Sequence, residues 1–384
     1  MYRLHCAGWH RIMIKKLGAA VAGGGCAALR SRGLSTATTM DAAYMHGAYD
    51  VRMGKKARPG AAELLAGQVL VDVEAVGICG SDLHYYKDGG IGAAKIDPAA
   101  PFVPGHEFSA VLREDDEQLR LSAGARVAVD PARACGRCEW CRRAHENLCP
   151  HVSFTGAPPL DGALTETIPI GREQLFPVPQ HFSAVQTLML EPLGVAIHAV
   201  DLAAPRLLES VAIIGCGPVG LKIAQLCRLA GVGQVLALDP LPYRAAAAAA
   251  QANGADRSGT SLQELHDWTG GRGADLVIEA TNSPRGFNDA AEAACIGGRV
   301  VLVGIPDGND YAELDASLVR RKGLCIKLSR RMGHVMPRAI KLVDEGKVDV
   351  VSMVTHEFPL AEAPTAFARQ ESKEGEPLKS VILI

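Results

Sequence analysis

Apolar and polar residues alternate through QVLVDVEAVG at residues 68–77, the pattern of a strand with one face buried. Short strand-like runs separated by Gly and Pro turns continue to about Pro179, among them ARVAVDP and ALTETIPI. This stretch therefore predicts a β-rich region. From Ser210 the texture changes. The continuous apolar run in SVAIIGCGPVG meets a glycine-rich turn and is followed by the helical stretch LKIAQLCRLAG. Then come the strand QVLALD, an Ala-rich helix, the strand ADLVIEA, a further helix and the strand GGRVVLVG. Strands alternating with helices predict a doubly wound parallel sheet, so the fold class is α/β. From about Pro337 the chain returns to mixed structure and ends in SVILI, a strand expected to pair back onto the first region. There is no internal repeat, and the Ala run at 245–250 sits at helical positions, where Ala is most favourable.

At 384 residues the chain is long enough for about two domains. Hydrophobic residues make up 48% and charged residues 21%, an ordinary globular composition. No apolar run is long enough to cross a bilayer, so a membrane role is not expected. A net charge of −2 without a basic stripe argues against a nucleic-acid partner. Four of the eleven cysteines crowd into residues 135–149. In a chain this size that clustering points to metal binding in a reducing compartment rather than to disulfides.

The first 39 residues differ from the rest. They hold Arg3, Arg11, Lys15, Lys16, Arg30 and Arg32 and no acid, and they end in a Ser/Thr-rich stretch. Without those six the remainder carries 34 basic against 42 acidic residues, a net charge of −8. Such a segment has the composition of a mitochondrial transit peptide. Glycines at 23–25 would weaken an amphipathic helix there, and a start at Met40 with a dispensable extension before it is the other reading. A secretory signal is disfavoured, because the apolar stretch is mostly Ala and Gly. The compartment is accordingly cytoplasmic, or the mitochondrial matrix if residues 1–39 are cleaved. Either way, residues 1–39 stay outside the fold.

The run Gly215-Cys216-Gly217-Pro218-Val219-Gly220 matches G-x-G-x-x-G. Its weight comes from its setting between an apolar strand and a helix, where the backbone must turn tightly and lie against a pyrophosphate. The helix start offers free N–H groups and its positive dipole end to phosphate. QVLALD ends at Asp239, nineteen residues past Gly220. A carboxylate there accepts from ribose hydroxyls and repels a 2′-phosphate, which favours NAD over NADP. Arg244 is near enough in sequence to brace the ribose region, or it is an exposed helix residue.

Cys135, Cys138, Cys141 and Cys149 offer four soft ligands with no vacancy, the donor set of a structural zinc. A lobe of this kind has no apolar core of its own and would be held by the metal. A second set is scattered: Cys79 in GICGSDLH, His106 and Glu107 in GHE, and Glu191 in EPLG. Each taken singly is an ordinary core or surface residue. Together they offer a thiolate, an imidazole and carboxylates, which suits a catalytic zinc with one open position.

At these residues the sequence resembles the zinc-dependent medium-chain alcohol dehydrogenases over nearly all of residues 40–384. Within that family it is most similar to the sorbitol (polyol) dehydrogenase branch. CGSDLHYYKDGGIG, PFVPGHEF, the four-cysteine lobe, EPLGVAIHA and GCGPVG occur in that branch's order and spacing. The resemblance implies a GroES-like β-rich catalytic domain at 40–194, a Rossmann domain at 195–333 and a C-terminal return to the catalytic domain at 334–384. It implies Cys79, His106 and Glu107 on the catalytic zinc, with Glu191 reaching the metal through water. Glu191 stands where other alcohol dehydrogenases of the family carry a third ligand cysteine.

The resemblance also implies that Ser81 takes the substrate proton and passes it through the cofactor ribose to His84, a relay to solvent. A strand-end role is the alternative for His84. Phe154, Thr155 and Arg330 would line the substrate pocket. Arg331 departs from the pattern by replacing a tyrosine, in a segment one residue longer, and a second arginine there would favour an acidic sugar such as an aldonate, or would face solvent. The expected reaction is zinc-dependent oxidation of a secondary alcohol of a polyol or sugar acid to a ketone, with hydride transfer to NAD. The expected assembly is a homodimer or homotetramer. Within the same scaffold the substrate could instead be threonine, glucose or a simple alcohol. A non-catalytic zinc-stabilised nucleotide-binding protein is the rival of another class, but it gives no physical reason for all the open-site residues to be intact.

Overall fold

The computed structural model describes residues 38–384, apart from 251 and 312–314; the expectation about the leader lies outside them for residues 1–37, while Thr39, expected to stay outside the fold, begins a strand and Thr38 accepts from the Arg58 N–H. The alternating run at Gln68–Gly77 is a strand at the centre of an antiparallel-dominated sheet. Glu107–Leu112 pairs with it on one side, and beyond that lie Arg126–Val129 and Leu175–Pro177. Thr167–Gly171 pairs with its first half. The C-terminal strand Lys379–Leu383 pairs antiparallel with its second half, as the apolar ending SVILI predicts. A hairpin, Thr39–Gly47 with Asp50–Ala57, lies outside this sheet. Val71, Val73, Phe108, Ala110, Val127 and Ile382 fill the core of the region.

The second sheet is parallel throughout, in the order Arg257–Gly259, Gln234–Leu238, Ser210–Ile214, Ala274–Glu279, Ala294–Leu302, Cys325–Leu328. Numbered along the chain, its strands run 3-2-1-4-5-6, the Rossmann arrangement, whose crevice beside strand 1 receives dinucleotides. Two of these strands have no clear signal in the apolar pattern. Arg257–Gly259 is three residues long and Cys325–Leu328 is a largely exposed edge, so neither carries a buried run.

Two junctions differ from the expected boundaries. The helix Leu190–Ala203 runs through 194/195, carrying Glu191 at one end and packing along the glycine-turn helix with the rest. The return expected at 334 opens with a helix, Met336–Asp344. Its Met336, Ala339 and Val343 pack into the core shared with the parallel sheet. The chain joins the catalytic sheet only at Val354–Pro359. Helical periodicity fixes which face is buried, but it does not say which core receives that face.

Candidate active site and metal centres

The helix Pro218–Leu229 starts directly after Gly217, with Pro218 in its first turn, where proline costs nothing. Gly215 has φ +98°, and a Cβ there would meet the Ala280 carbonyl oxygen at 2.6 Å. A Cβ on Gly220 would collide with the Gly215 carbonyl. Gly217 differs: only the Arg244 guanidinium approaches it, at 3.9 Å. Its backbone is left open for a close neighbour, which fits a pyrophosphate. Asp239 is buried at the end of its strand. One carboxylate oxygen accepts the Cys216 N–H at 2.9 Å and the other accepts the Leu241 N–H at 2.9 Å, which leaves one lone pair on each. Arg244 lies over the Tyr243 ring, and its Nε donates to the Tyr243 hydroxyl. Val219 is half-buried beside the turn.

Cys79 caps the helix Gly80–Asp88, and its backbone N–H donates to the Asp82 carboxylate at 2.9 Å. The other Asp82 oxygen lies 3.4 Å from Nδ1 of His106. That contact leaves Nε2 of His106 facing the site, the orientation a metal-binding histidine takes. Ser81 Oγ is 3.4 Å from this Nε2. The Cys79 sulfur, a His106 nitrogen and a Glu107 oxygen lie within 4.8 Å of one another. Glu191 is buried nearby but outside that set. Burial opposes the His106 imidazolium, yet Asp82 and the Cys79 sulfur outweigh it and hold the pKa well above its ordinary value. Burial and the Glu107 carboxylate raise the Cys79 thiol. The same two causes push the Glu191 carboxyl up to about 8. Anionic donors this crowded and this dry call for a cation, so the donor set fits zinc.

Lys379, in the C-terminal strand, forms a buried ion pair with Glu107 and donates to the Ile78 carbonyl at 2.8 Å. Sequence reasoning missed it because nothing local marks a lysine 272 residues from its partner. Asp82 was also missed, although it stands inside the GSD motif.

The four lobe cysteines come together. Cys138 Sγ is 3.4 Å from Cys141 Sγ and 3.8 Å from Cys149 Sγ, and Cys135 is 4.0 Å from Cys141. A tetrahedron with Zn–S bonds of about 2.3 Å has edges of about 3.8 Å, so these sulfurs fit a zinc ion. They are too far apart for disulfides. Backbone N–H groups of Arg137 and Cys138 lower the Cys135 thiol to about 6, while burial and neighbouring sulfurs raise Cys141 to about 12.

Phe154 stands against His106, with ring centroids 5.3 Å apart, and Thr155 follows with its N–H donating to the Pro131 carbonyl. Arg330, expected in the substrate pocket, lies on the surface side of this segment. Its side chain is exposed, and its backbone carbonyl accepts from Asn147. Arg331, with φ +54°, turns inward instead, its guanidinium 5.2 Å from the Phe154 ring centroid. Its Nη1 is buried without a hydrogen-bond partner, and burial lowers its pKa. The left-handed backbone at Arg331 sends the two adjacent arginine side chains in different directions.

His84 is buried on the same helix as Ser81. Its Nδ1 is 3.1 Å from Asp88, and its Nε2 is 3.0 Å from the Ile305 carbonyl and 3.3 Å from Asn282. His84 thus touches the parallel-sheet domain, a contact sequence reasoning did not foresee.

The alcohol dehydrogenase GroES-like domain family matches residues 65–180, and the zinc-binding dehydrogenase family matches residues 218–345. Sorbitol dehydrogenase of Bacillus subtilis (strain 168) is 32% identical over 349 residues, spanning 89% of this chain and 97% of that protein. Sorbitol dehydrogenase 1 of Saccharomyces cerevisiae is 32% identical over 328 residues, 82% of this chain and 90% of that protein. Among solved structures, L-idonate 5-dehydrogenase of Escherichia coli superposes with a TM-score of 0.81 at 26% identity, covering 90% of this chain and 98% of that one. With this identity to relatives over nearly their whole length, and with two donor sets that could each hold a metal ion, the chain belongs to the zinc-binding dehydrogenases with a GroES-like catalytic domain. It is an NAD-linked, zinc-dependent alcohol oxidoreductase. None of the described helices is long and apolar enough to cross a membrane.

Proposed function

We propose that this enzyme oxidises a secondary alcohol of a polyol or sugar acid to a ketone. The observation that carries the reading is the Cys79, His106 and Glu107 donor set within 4.8 Å, on a chain 32% identical to a sorbitol dehydrogenase over 97% of that protein. Cys79, His106 and Glu107 would hold the catalytic zinc, and Glu191 would reach it through water. Zinc, when bound, supplies the Lewis acidity that lowers a hydroxyl pKa, and NAD supplies the hydride acceptor. The protein's own part is to place and deprotonate the alcohol. Ser81 Oγ accepts the hydroxyl proton, and His84 carries it away. Phe154 shields one side of the site from water. Asp239 and the turn at 215–220 hold the dinucleotide, with Arg244 beside it.

Arg331 favours the sugar acid. A guanidinium with a buried, unpaired Nη1 against Phe154 gains most from a substrate carboxylate, which it can bind through two hydrogen bonds. We infer further that the chain works as a homodimer or homotetramer, in the cytoplasm or, if residues 1–39 are a transit peptide, in the mitochondrial matrix. The test is NAD reduction by the purified protein across polyols, aldonates, threonine and simple alcohols, with and without a strong zinc chelator. Chelator-sensitive turnover fastest on an aldonate or polyol is expected. Turnover confined to threonine or simple alcohols would overturn the substrate class.

A further inference from the structure

Arg331 faces inward because its backbone lies in the left-handed region, at φ +54°. An arginine leaves that region unless its neighbours hold it there. After it, Met332 is buried tightly against the helix Leu190–Ala203, where a Cβ on Gly194 would collide with its sulfur. Before it, the Ser329 N–H donates to the Leu302 carbonyl at 2.8 Å. Between these anchors stands the peptide unit whose rotation about the N–Cα bond of Arg331 is the φ angle itself. Its carbonyl, that of Arg330, accepts from Asn147 Nδ2 at 3.1 Å.

Asn147 belongs to the cysteine lobe. It sits in the short turn Glu146–Leu148, two residues before Cys149. Its side-chain amide carries two N–H bonds, and each has an acceptor outside the lobe. One acceptor is the Arg330 carbonyl. The other is Nε2 of His198, 3.3 Å away on the helix that carries Glu191. Burial lowers the pKa of His198, which keeps the ring neutral and leaves that nitrogen able to accept. A turn residue that served only its own loop would direct its N–H groups into the loop. Beside it, Glu146 pairs with His334 at 3.3 Å, an exposed contact of little weight.

We propose that Asn147 is a positioning residue, which holds the Arg330 peptide from the cysteine lobe and so aims the Arg331 guanidinium at the substrate. The lobe then sets substrate preference as well as stability. The proposal rests on the reading of Arg331 as the group that binds a substrate carboxylate. Burial and the neighbouring Arg330 disfavour the charge on that guanidinium, and the Asp130 carboxylate favours it, yet Nη1 has no hydrogen-bond partner. With no bond at Nη1 to fix the group, its direction comes from the backbone that Asn147 grips.

The experiment takes the zinc-loaded enzyme, Asn147→Ala, Arg331→Met and the double variant. It measures kcat and KM on the best aldonate and the best neutral polyol, with melting temperature and zinc content beside them. Where an aldonate binds without turning over, its inhibition constant against the polyol replaces KM. Asn147→Ala is expected to raise KM for the aldonate about fivefold to tenfold, the loss of one neutral hydrogen bond. Over the same comparison kcat, and KM for the polyol, should change less than about twofold. Arg331→Met should raise the aldonate KM further, and Asn147→Ala should add nothing in that background. Asn147→Asp fills the same space with no N–H to give, and it carries the test if Asn147→Ala melts lower or sheds zinc. Asn147 variants at the wild-type KM, with that of Arg331→Met raised, would overturn the positioning role and leave the reading of Arg331 standing. Arg331→Met at the wild-type aldonate KM would overturn both. Equal rises on aldonate and polyol, or effects that add in the double variant, would mean that Asn147 does not act through Arg331, which also overturns the proposal.

Discussion

The two candidate metal-binding regions solve opposite problems. The cysteine lobe takes all four donors from fifteen consecutive residues, of one chemical kind, partly exposed at the surface. The proposed catalytic set draws a thiol, an imidazole and a carboxylate from two separate elements and adds Glu191 from a helix and Lys379 from the last strand, all buried except Cys79, which is half-buried. A closed structural site needs only a loop that can wrap an ion. An open site must hold a vacancy of fixed shape and balance its charge without filling it. Only rigid elements brought from far apart in the chain can do that. The lobe would therefore be formed by its own metal, whereas the proposed catalytic set would be formed by the fold before its metal is bound.

The largest effect should separate the two regions by activity. Cys79→Ala should cut NAD-linked turnover on the order of a thousandfold or more, about 4 kcal/mol of transition-state stabilisation. Zinc content should fall by one ion per chain, with the melting temperature little changed. A variant that melts well below the wild type would mean that the catalytic set also holds the fold together. Next, Cys141→Ser should remove the other ion and lower the melting temperature by about 10 °C, since structural zinc contributes several kcal/mol. Calorimetry with metal analysis reads both variants, and an unshifted transition in Cys141→Ser would break the comparison from the other side.

The smallest effect is the difference that bound zinc makes to a buried charge. Replacing Lys379 by Met leaves Glu107 buried beside the site with its ion-pair partner gone, a loss of about 3–5 kcal/mol when nothing else compensates. Bound zinc would compensate in part. The variant should therefore be destabilised more in chelator than in zinc, as measured by denaturant unfolding in each. Equal losses in both conditions would mean that Glu107 does not face the metal.

Much of this was legible in the chain. The strand–turn–helix unit ending at Asp239 could be read because its residues are neighbours and their constraints are local. Gly215 needs a positive φ, and Gly220 has no room for a Cβ. The cysteine lobe was legible for the same reason. Arg331 was not, since its inward turn depends on one backbone angle that the side-chain pattern does not encode. Nor were the strands Arg257–Gly259 and Cys325–Leu328, which are too short or too exposed to leave an apolar signature.

By itself, then, the sequence determined the donor types, the glycine turn, the closed lobe and the alternation that builds each sheet, because each depends on residues a few positions apart. The tertiary structure decided what meets what. It set Lys379 against Glu107, Arg331 over Phe154 and His84 between two domains. Those contacts each span more than a hundred residues, and they form only when two cores and the helix Leu190–Ala203 running between them have fixed the distances.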